Sequence, residues 1–241
     1  MIDFGLSQKY TLEKMEQAGV PFSDLRGALI THLHSDHTSQ AMSNKLIREQ
    51  VPIYCQRGQY RILVRRFRPK TENNIHVFAE KRPFEISRFT INAFKVPHDA
   101  PGGCYGFNIT QKKQKITIAT DLSAENNGLA NHFTDSNVIV LESNYDPQML
   151  ENSGRPANLI QRIQQEGHLS NAQSAAFLNK ILKNSKLKPQ ALILAHLSQE
   201  CNSPLLAKKS AQEILALHNL QYTKLVAAEK KNSTATIEIR D

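Results

Sequence analysis

No stretch of eighteen consecutive apolar residues occurs in the chain, which excludes a transmembrane helix of ordinary length. The opening residues, Met1 to Ser7, carry no basic patch followed by an apolar run, so no signal peptide is expected. Cysteine is scarce: Cys55, Cys104 and Cys201 are an odd three among 241 residues. That argues against a disulfide framework and for free thiols in a reducing compartment, with the cytoplasm as the expected location. Internal repeats, low-complexity tracts and linkers are also lacking, and nothing in the composition points to disorder, collagen or coiled coil.

What remains is a globular composition, 40% apolar and 22% charged, enough for a packed core. The length allows one large domain or two small ones, and a single domain over residues 1–241 is expected. Charge is asymmetric: 30 Lys and Arg stand against 22 Asp and Glu, a net +8. A surplus of that size favours a polyanionic partner, nucleic acid first, although a merely basic soluble protein fits it equally well.

Short β-branched runs alternate with amphipathic helical patterns. Strands are expected at 27–31, 51–55, 75–78, 89–96, 105–110, 115–120, 138–142, 191–195, 224–227 and 234–240. Helices are expected at 11–19, 58–68, 171–183 and 205–217. Ser170 can cap the third helix, with Gln173 completing a capping box. Residues 111–114 suit a hairpin turn. Strands mixed with helices throughout indicate a layered α+β domain.

The decisive segment runs Ala28-Leu-Ile-Thr-His32-Leu-His34-Ser-Asp36-His37. An apolar strand leads straight into three histidines and an aspartate. Neutral imidazole and carboxylate are the ligands that Zn²⁺, Mn²⁺ and Fe²⁺ accept. Alternating His32 and His34 can point to one side of an extended loop, with Asp36 and His37 directed towards a second metal position. Three further candidates each follow a buried apolar run: His98, Asp121 and His196. Any one alone could simply terminate a strand. All three beside the first motif argue for a metal centre, because rigid strand ends place ligands well.

This pattern, His-x-His-x-Asp-His followed by separate His, Asp and His at strand ends, resembles the metallo-β-lactamase superfamily. The resemblance implies a four-layer αβ/βα sandwich that binds two divalent ions. It implies His32, His34 and His98 on one metal, Asp36, His37 and His196 on the other, and Asp121 bridging them, with a bridging hydroxide as nucleophile. Three more stretches are similar to the YycJ/WalJ-like branch, typified by double-stranded DNA exonucleases: Leu141-Glu-Ser-Asn144, Glu166-Gly-His-Leu-Ser-Asn171 and Leu194-Ala-His-Leu-Ser-Gln-Glu-Cys-Asn202. Two departures stand out. Members of this branch usually have a β-hairpin ahead of the Ile-Asp-x-Gly motif, where this chain begins Met1-Ile-Asp-Phe-Gly5. The expectation is a fold lacking the first N-terminal hairpin, with a sheet edge left exposed that would make a homodimer unsurprising, or else a displaced start site. Tyr145 stands where the branch often has histidine.

Asp3 can orient the metal-binding loop as it does in the superfamily, or it is a turn aspartate before Gly5. His168 precedes the capped helix at Ser170 and Asn171. That helix end and His168 can hold a scissile phosphate or protonate a leaving oxygen, which makes His168 a catalytic candidate with Asp36; otherwise His168 packs at the helix entry. Ser198 and Asn202 can orient His196, touch substrate or belong to a plain loop. Cys201 is expected to be buried and inert.

Arg57, Arg61, Arg65 and Arg68 recur at helical spacing and would form one stripe opposite Tyr60, Leu63, Val64 and Phe67. Arg66 and Lys70 add charge nearby, and no acidic residue lies between Arg57 and Lys70. Four arginines on one face suit a phosphate backbone, and an ordinary solvated face is the plainer alternative. The cluster Lys180, Lys183, Lys186 and Lys188 is expected to face solvent. Three functions compete: a two-metal phosphodiesterase resembling a 5′–3′ DNA exonuclease, a small-molecule phosphodiester or ester hydrolase of the same fold, and a non-catalytic binding protein. Zinc is the first choice of metal, and manganese or iron suits the same ligands. No membrane partner is expected.

Overall fold

The computed structural model describes residues 1–69, 72–125, 128–230 and 232–240. It contains two compact units, Met1–Lys95 with Asp99–Tyr105, and Val96–His98 with Gly106–Asp241.

The first unit begins with a short exposed helix, α1 (Gln8–Gln17), capped by Ser7. Its sheet is parallel, in the order β1 (Ala28–Leu29), β2 (Ile53–Gln56), β3 (Ile75–Phe78). Parallel strands need crossovers. Here they are α2 (Gln40–Arg48) and α3 (Arg57–Phe67). Ser39 starts α2 by accepting the Met42 N–H. Met42 and Leu46, one turn apart, then bury beside Ile30, Leu33, Ile53, Leu63 and Phe67. Residues 28–30 are all buried, as a strand covered on both faces requires. The N-terminal segment lies parallel to β1, with Ile2 bridged to Leu29 and the Asp3 N–H donating to the Leu29 carbonyl at 2.9 Å. A hairpin follows, β4 (Phe84–Ile86) against β5 (Phe89–Val96), turning through Ser87 in the left-handed region.

In the second unit β6 (Cys104–Gln111) runs antiparallel to β7 (Gln114–Ala119), joined at Lys112 and Lys113 by the expected turn. From β7 onward β8 (Val138–Glu142), β9 (Ala191–Ala195) and β10 (Lys224–Ala227) are parallel neighbours. The crossovers are α4 (Leu129–Phe133), then α5 (Pro147–Glu151), α6 (Ala157–Arg162), one π-helical turn (Ile163–Gly167) and α7 (Asn171–Asn184), and finally α8 (Pro204–Leu217). Ser170 and Gln173 form the capping box of α7. Phe177, Leu178, Ile181 and Leu182 bury its inner face, with Phe177 edge-on to Phe133 at 5.4 Å. Register aligns the carboxyl ends of three strands: Ala119 lies opposite Leu141, and Glu142 opposite Ala195. Residues that follow these ends leave the sheet at one edge, where parallel sheets bind ligands.

Several expectations are corrected. Residues 234–240 form no strand; Gln190 instead ties the Arg240 backbone by two hydrogen bonds, at 2.7 and 2.9 Å. Alternating Thr and Ile supply β propensity there, but propensity without a ladder partner does not make a strand. The short helices α2, α4, α5 and α6 and strand β4 lay outside the sequence reading. Lys188 folds back on the α7 terminus, donating to the Leu182 and Ser185 carbonyls at 2.7 Å each, whereas Lys180, Lys183 and Lys186 are exposed as expected, Lys180 pairing with Glu125 at the surface. Among the described residues no helix is long and apolar enough to cross a membrane.

Candidate functional site

In the first unit β1 runs out into the loop that carries His32, His34, Asp36 and His37. His32 is wholly buried, whereas the Asp36 side chain is 58% exposed. His32 Nε2 lies 3.0 Å from His34 Nδ1, and the two rings stand edge-on. His37 Nε2 lies 3.6 Å from Asp36 Oδ2. Two imidazole nitrogens aimed at each other require a shared proton or a cation between their lone pairs, which is the chemistry of a metal-ligand pair.

Asp3 reaches this loop from the N-terminal segment. Its Oδ1 accepts the Thr31 N–H at 2.8 Å, and its Oδ2 accepts the Thr31 hydroxyl at 2.7 Å. Oδ2 also lies 2.7 Å from His37 Nδ1. A carboxylate only accepts, so His37 carries its proton on Nδ1 and presents Nε2 on the Asp36 side. Gly5 follows two residues later, and a Cβ there would stand 1.7 Å from the Asp36 carbonyl oxygen. Only glycine lets the two backbones approach so closely.

The second unit holds another cluster, at the carboxyl ends of β7, β8 and β9. Glu142 is its centre and is fully buried. Its Oε1 accepts His168 Nδ1–H at 2.9 Å and His196 Nδ1–H at 2.7 Å. Its Oε2 accepts the backbone N–H groups of Leu122 at 2.8 Å and Leu169 at 3.1 Å. Burial pushes the carboxyl up, but the hydrogen bonds and positive potential of His168 and His196 outweigh it and hold Glu142 at about 2. In either protonation state Nδ1–H of both histidines points at the carboxylate, with Nε2 turned away from it.

Asp121 is 2% exposed, and its Oδ1 lies 3.5 Å from His196 Nδ1 and 3.8 Å from His98 Nε2. His98 Nδ1 donates to the Gly167 carbonyl at 3.1 Å, which turns its Nε2 to Asp121. The π-helical turn therefore serves twice: its last carbonyl orients His98, and the next residue is His168. Such turns recur at functional sites. One donor atom from each of Asp121, Glu142, His168 and His196 lies within 4.8 Å of the others. Four N–H donors already engage both oxygens of Glu142, so of these four residues Asp121 and His196 are left as candidate ligands, with His168 held beside them by Glu142. Carboxylate and imidazole donors at this density fit a divalent cation.

Asp3, Asp121 and His196 all have positive φ, at 52°, 60° and 58°. Such conformations cost roughly 1–3 kcal/mol each and cluster where the surroundings enforce a working geometry.

Other candidates take different places. Ser170 is committed to its cap, and the Asn171 side chain is buried, accepting from the Ser143 hydroxyl at 2.6 Å and donating to Asn202 at 2.9 Å. Asn202 in turn donates to the carbonyls of Ser143 and Asn144. This network ties together the segments after β8, before α7 and after β9. Ser170 and Asn171 thus hold those segments together rather than facing outward, since their polar atoms are satisfied inside. Ser198 Oγ accepts the Cys201 N–H at 3.1 Å and shapes its own turn. Tyr145 is buried against Leu150 and Cys201 as a packed ring. On α3, Arg57, Arg61, Arg65 and Arg68 are exposed while Leu63 and Phe67 enter the core. None of the four forms an ion pair among the described residues. Arg66 departs from this face, because its guanidinium turns to the His32–His37 loop. Lys70 lies outside the described residues.

Glu142 and Gly5 were not singled out in the sequence. The signal for Glu142 was its position at a strand end level with Asp121 and His196; the signal for Gly5 was its spacing from Asp3.

Clusters of this kind at the ends of strands define a metal-dependent hydrolase. The family model for the beta-lactamase superfamily domain matches residues 2–197, and the chain belongs to that superfamily. It is 24% identical to the exodeoxyribonuclease YycJ of Bacillus anthracis over 216 residues, 89% of this chain and 80% of the relative. It is 26% identical to the exodeoxyribonuclease WalJ of Streptococcus pneumoniae over 224 residues, 91% of this chain and 81% of the relative. The zinc-bound structure of PqqB from Methylobacterium extorquens superposes with a TM-score of 0.66 at 14% identity, covering 95% of this chain and 80% of that one. That likeness shows a shared fold; the superfamily rests on the family model, and the His and Asp groupings fit the divalent metal ions it implies.

Proposed function

We propose that the chain is a metal-dependent phosphodiesterase that degrades DNA as an exonuclease. The observation that carries this reading is the Glu142–His168 pair. A buried carboxylate holds one imidazole nitrogen and leaves the other, on a partly exposed ring, to act on substrate. The exonuclease names of two relatives and the exposed arginine face of α3, which forms no ion pair among the described residues, support DNA as the substrate class.

We assign His32, His34 and His98 to one ion and Asp36, His37 and His196 to a second, with Asp121 serving both. Zn²⁺ is the first choice, and Mn²⁺ or Fe²⁺ suits the same donors. Bound there, divalent cations supply Lewis-acid polarisation of the phosphodiester and activation of water. The chain's own residues do the rest. Asp3 fixes the His37 ring. Glu142 accepts from His168 Nδ1–H, and with the ring doubly protonated Nε2–H would donate to a phosphate oxygen or give its proton to the leaving oxygen, returning the ring to its neutral form. Arg57, Arg61, Arg65 and Arg68 hold backbone phosphates.

Two experiments test the reading. Purified protein with Mn²⁺ or Zn²⁺ should shorten end-labelled linear double-stranded DNA progressively, and Asp36→Ala should not. Turnover of bis(p-nitrophenyl) phosphate with intact DNA would assign the site to small phosphodiesters instead. Replacing Arg61 and Arg65 together by Ala should flatten the salt dependence of DNA binding. Each phosphate contact contributes about 0.9 to the slope of log K against log salt, so the pair should remove about 1.8. An unchanged slope would take α3 out of the interface.

A further inference from the structure

Arg66 differs from its neighbours on α3. The helical repeat turns successive residues by about 100°, so Arg66 leaves the stripe that Arg61, Arg65 and Arg68 share. Its Nη1 donates to the Leu33 carbonyl at 2.7 Å and reaches the Thr38 hydroxyl at 3.3 Å, and its Nη2 reaches the Thr38 carbonyl at 3.5 Å. Its guanidinium carbon lies 5.2 Å from the ring centre of Phe67, which is itself anchored in the core.

Two turns earlier, on the same side of the helix, stands Gln59, which is wholly buried. Its amide donates to the Thr31 carbonyl at 2.8 Å and the Gly103 carbonyl at 3.0 Å. Its oxygen accepts the Gln56 N–H at 2.9 Å. The helix therefore grips the loop at residues 31, 33 and 38, and these points bracket His32, His34, Asp36 and His37. Leu33 joins the two histidines whose nitrogens face each other, so its carbonyl sets the peptide plane between them.

We propose that Arg66 is a positioning residue for the metal-binding loop, clamping it to α3, and not a contact for an anionic substrate. The proposal rests on reading these four residues as ligands. A planar fork with fixed N–H directions suits two carbonyls and a hydroxyl, which a lysine ammonium cannot span together.

The metal-free protein is titrated with Co²⁺ and the visible d–d absorption followed, for the wild type, Arg66→Ala, Arg66→Lys and Arg65→Ala. Residues that orient metal ligands typically change affinity by about 10–100-fold. Both Arg66 variants should bind Co²⁺ that much more weakly, with unchanged far-UV circular dichroism, while Arg65→Ala binds as the wild type does. Arg66→Lys keeps the charge and loses the fork, so it separates geometry from electrostatics. Full affinity in either Arg66 variant overturns the proposal, as does an equal loss in Arg65→Ala. A wild type that takes up no Co²⁺ overturns the ligand reading beneath it.

Discussion

Glu142→Gln is expected to lower turnover on DNA by about 10²-fold or more, the scale on which positioned proton transfer contributes. The substitution is nearly isosteric, so the reason is not size. Glu142 accepts four N–H groups, two on each oxygen. A glutamine amide has one accepting oxygen, and its NH₂ would meet two donors head-on in a fully buried place. Leaving buried donors unmatched costs about 1–3 kcal/mol, so stability should fall by about that amount while the fold persists. His168 and His196 would both lose the acceptor at which their Nδ1–H points. Urea unfolding measures the first effect and steady-state turnover the second. Wild-type turnover in this variant would remove Glu142 from the chemistry.

Gly5→Ala should damage the protein more than any other small substitution near the loop. The new methyl carbon would stand 1.7 Å from the Asp36 carbonyl oxygen, 2.0 Å from its carbon and 2.5 Å from the His37 nitrogen. These are backbone atoms and cannot swing aside as a side chain would. Overpacking against adaptable neighbours costs about 1–3 kcal/mol, and an unyielding contact belongs at or above the top of that range. Relief requires moving the N-terminal segment off the loop, which also withdraws Asp3 from Thr31 and His37. A lower thermal midpoint together with reduced metal content by elemental analysis is the expected result. Normal values for both would mean that the segment and the loop do not pack this closely.

The ligand candidates were legible because they need only local information: a polar metal-binding residue directly after an apolar strand. Strands 75–78, 89–96, 138–142, 191–195 and 224–227 were legible for the same reason, being compact β-branched runs. Glu142 meets the same local criterion, yet its role depends on His168 and His196, 26 and 54 residues away in sequence. Nothing local distinguishes it from a glutamate that simply ends a strand. The requirement for Gly5 is set by the Asp36 backbone; helical spacing alone takes Arg66 off the stripe, but its anchorage on the Leu33 carbonyl, 33 residues away, was not legible. Ser170 shows the converse. Its cap was legible from Gln173 three residues on, but the inward turn of Asn171 towards Ser143 and Asn202 was not. Helix α2 escaped notice because its apolar side is just Met42 and Leu46 with partial help from Ile47, too sparse to register as a periodic face.

The most direct test is the paired metal content and turnover of His168→Ala beside Asp36→Ala. Elemental analysis counts the bound ions, and digestion of end-labelled linear DNA reads the chemistry. If His168 acts on substrate and is no ligand, His168→Ala keeps the wild-type metal content and loses about 10²–10⁴-fold in rate, while Asp36→Ala loses metal as well. Wild-type rates in His168→Ala, or loss of its metal, would contradict the role given to the Glu142–His168 pair.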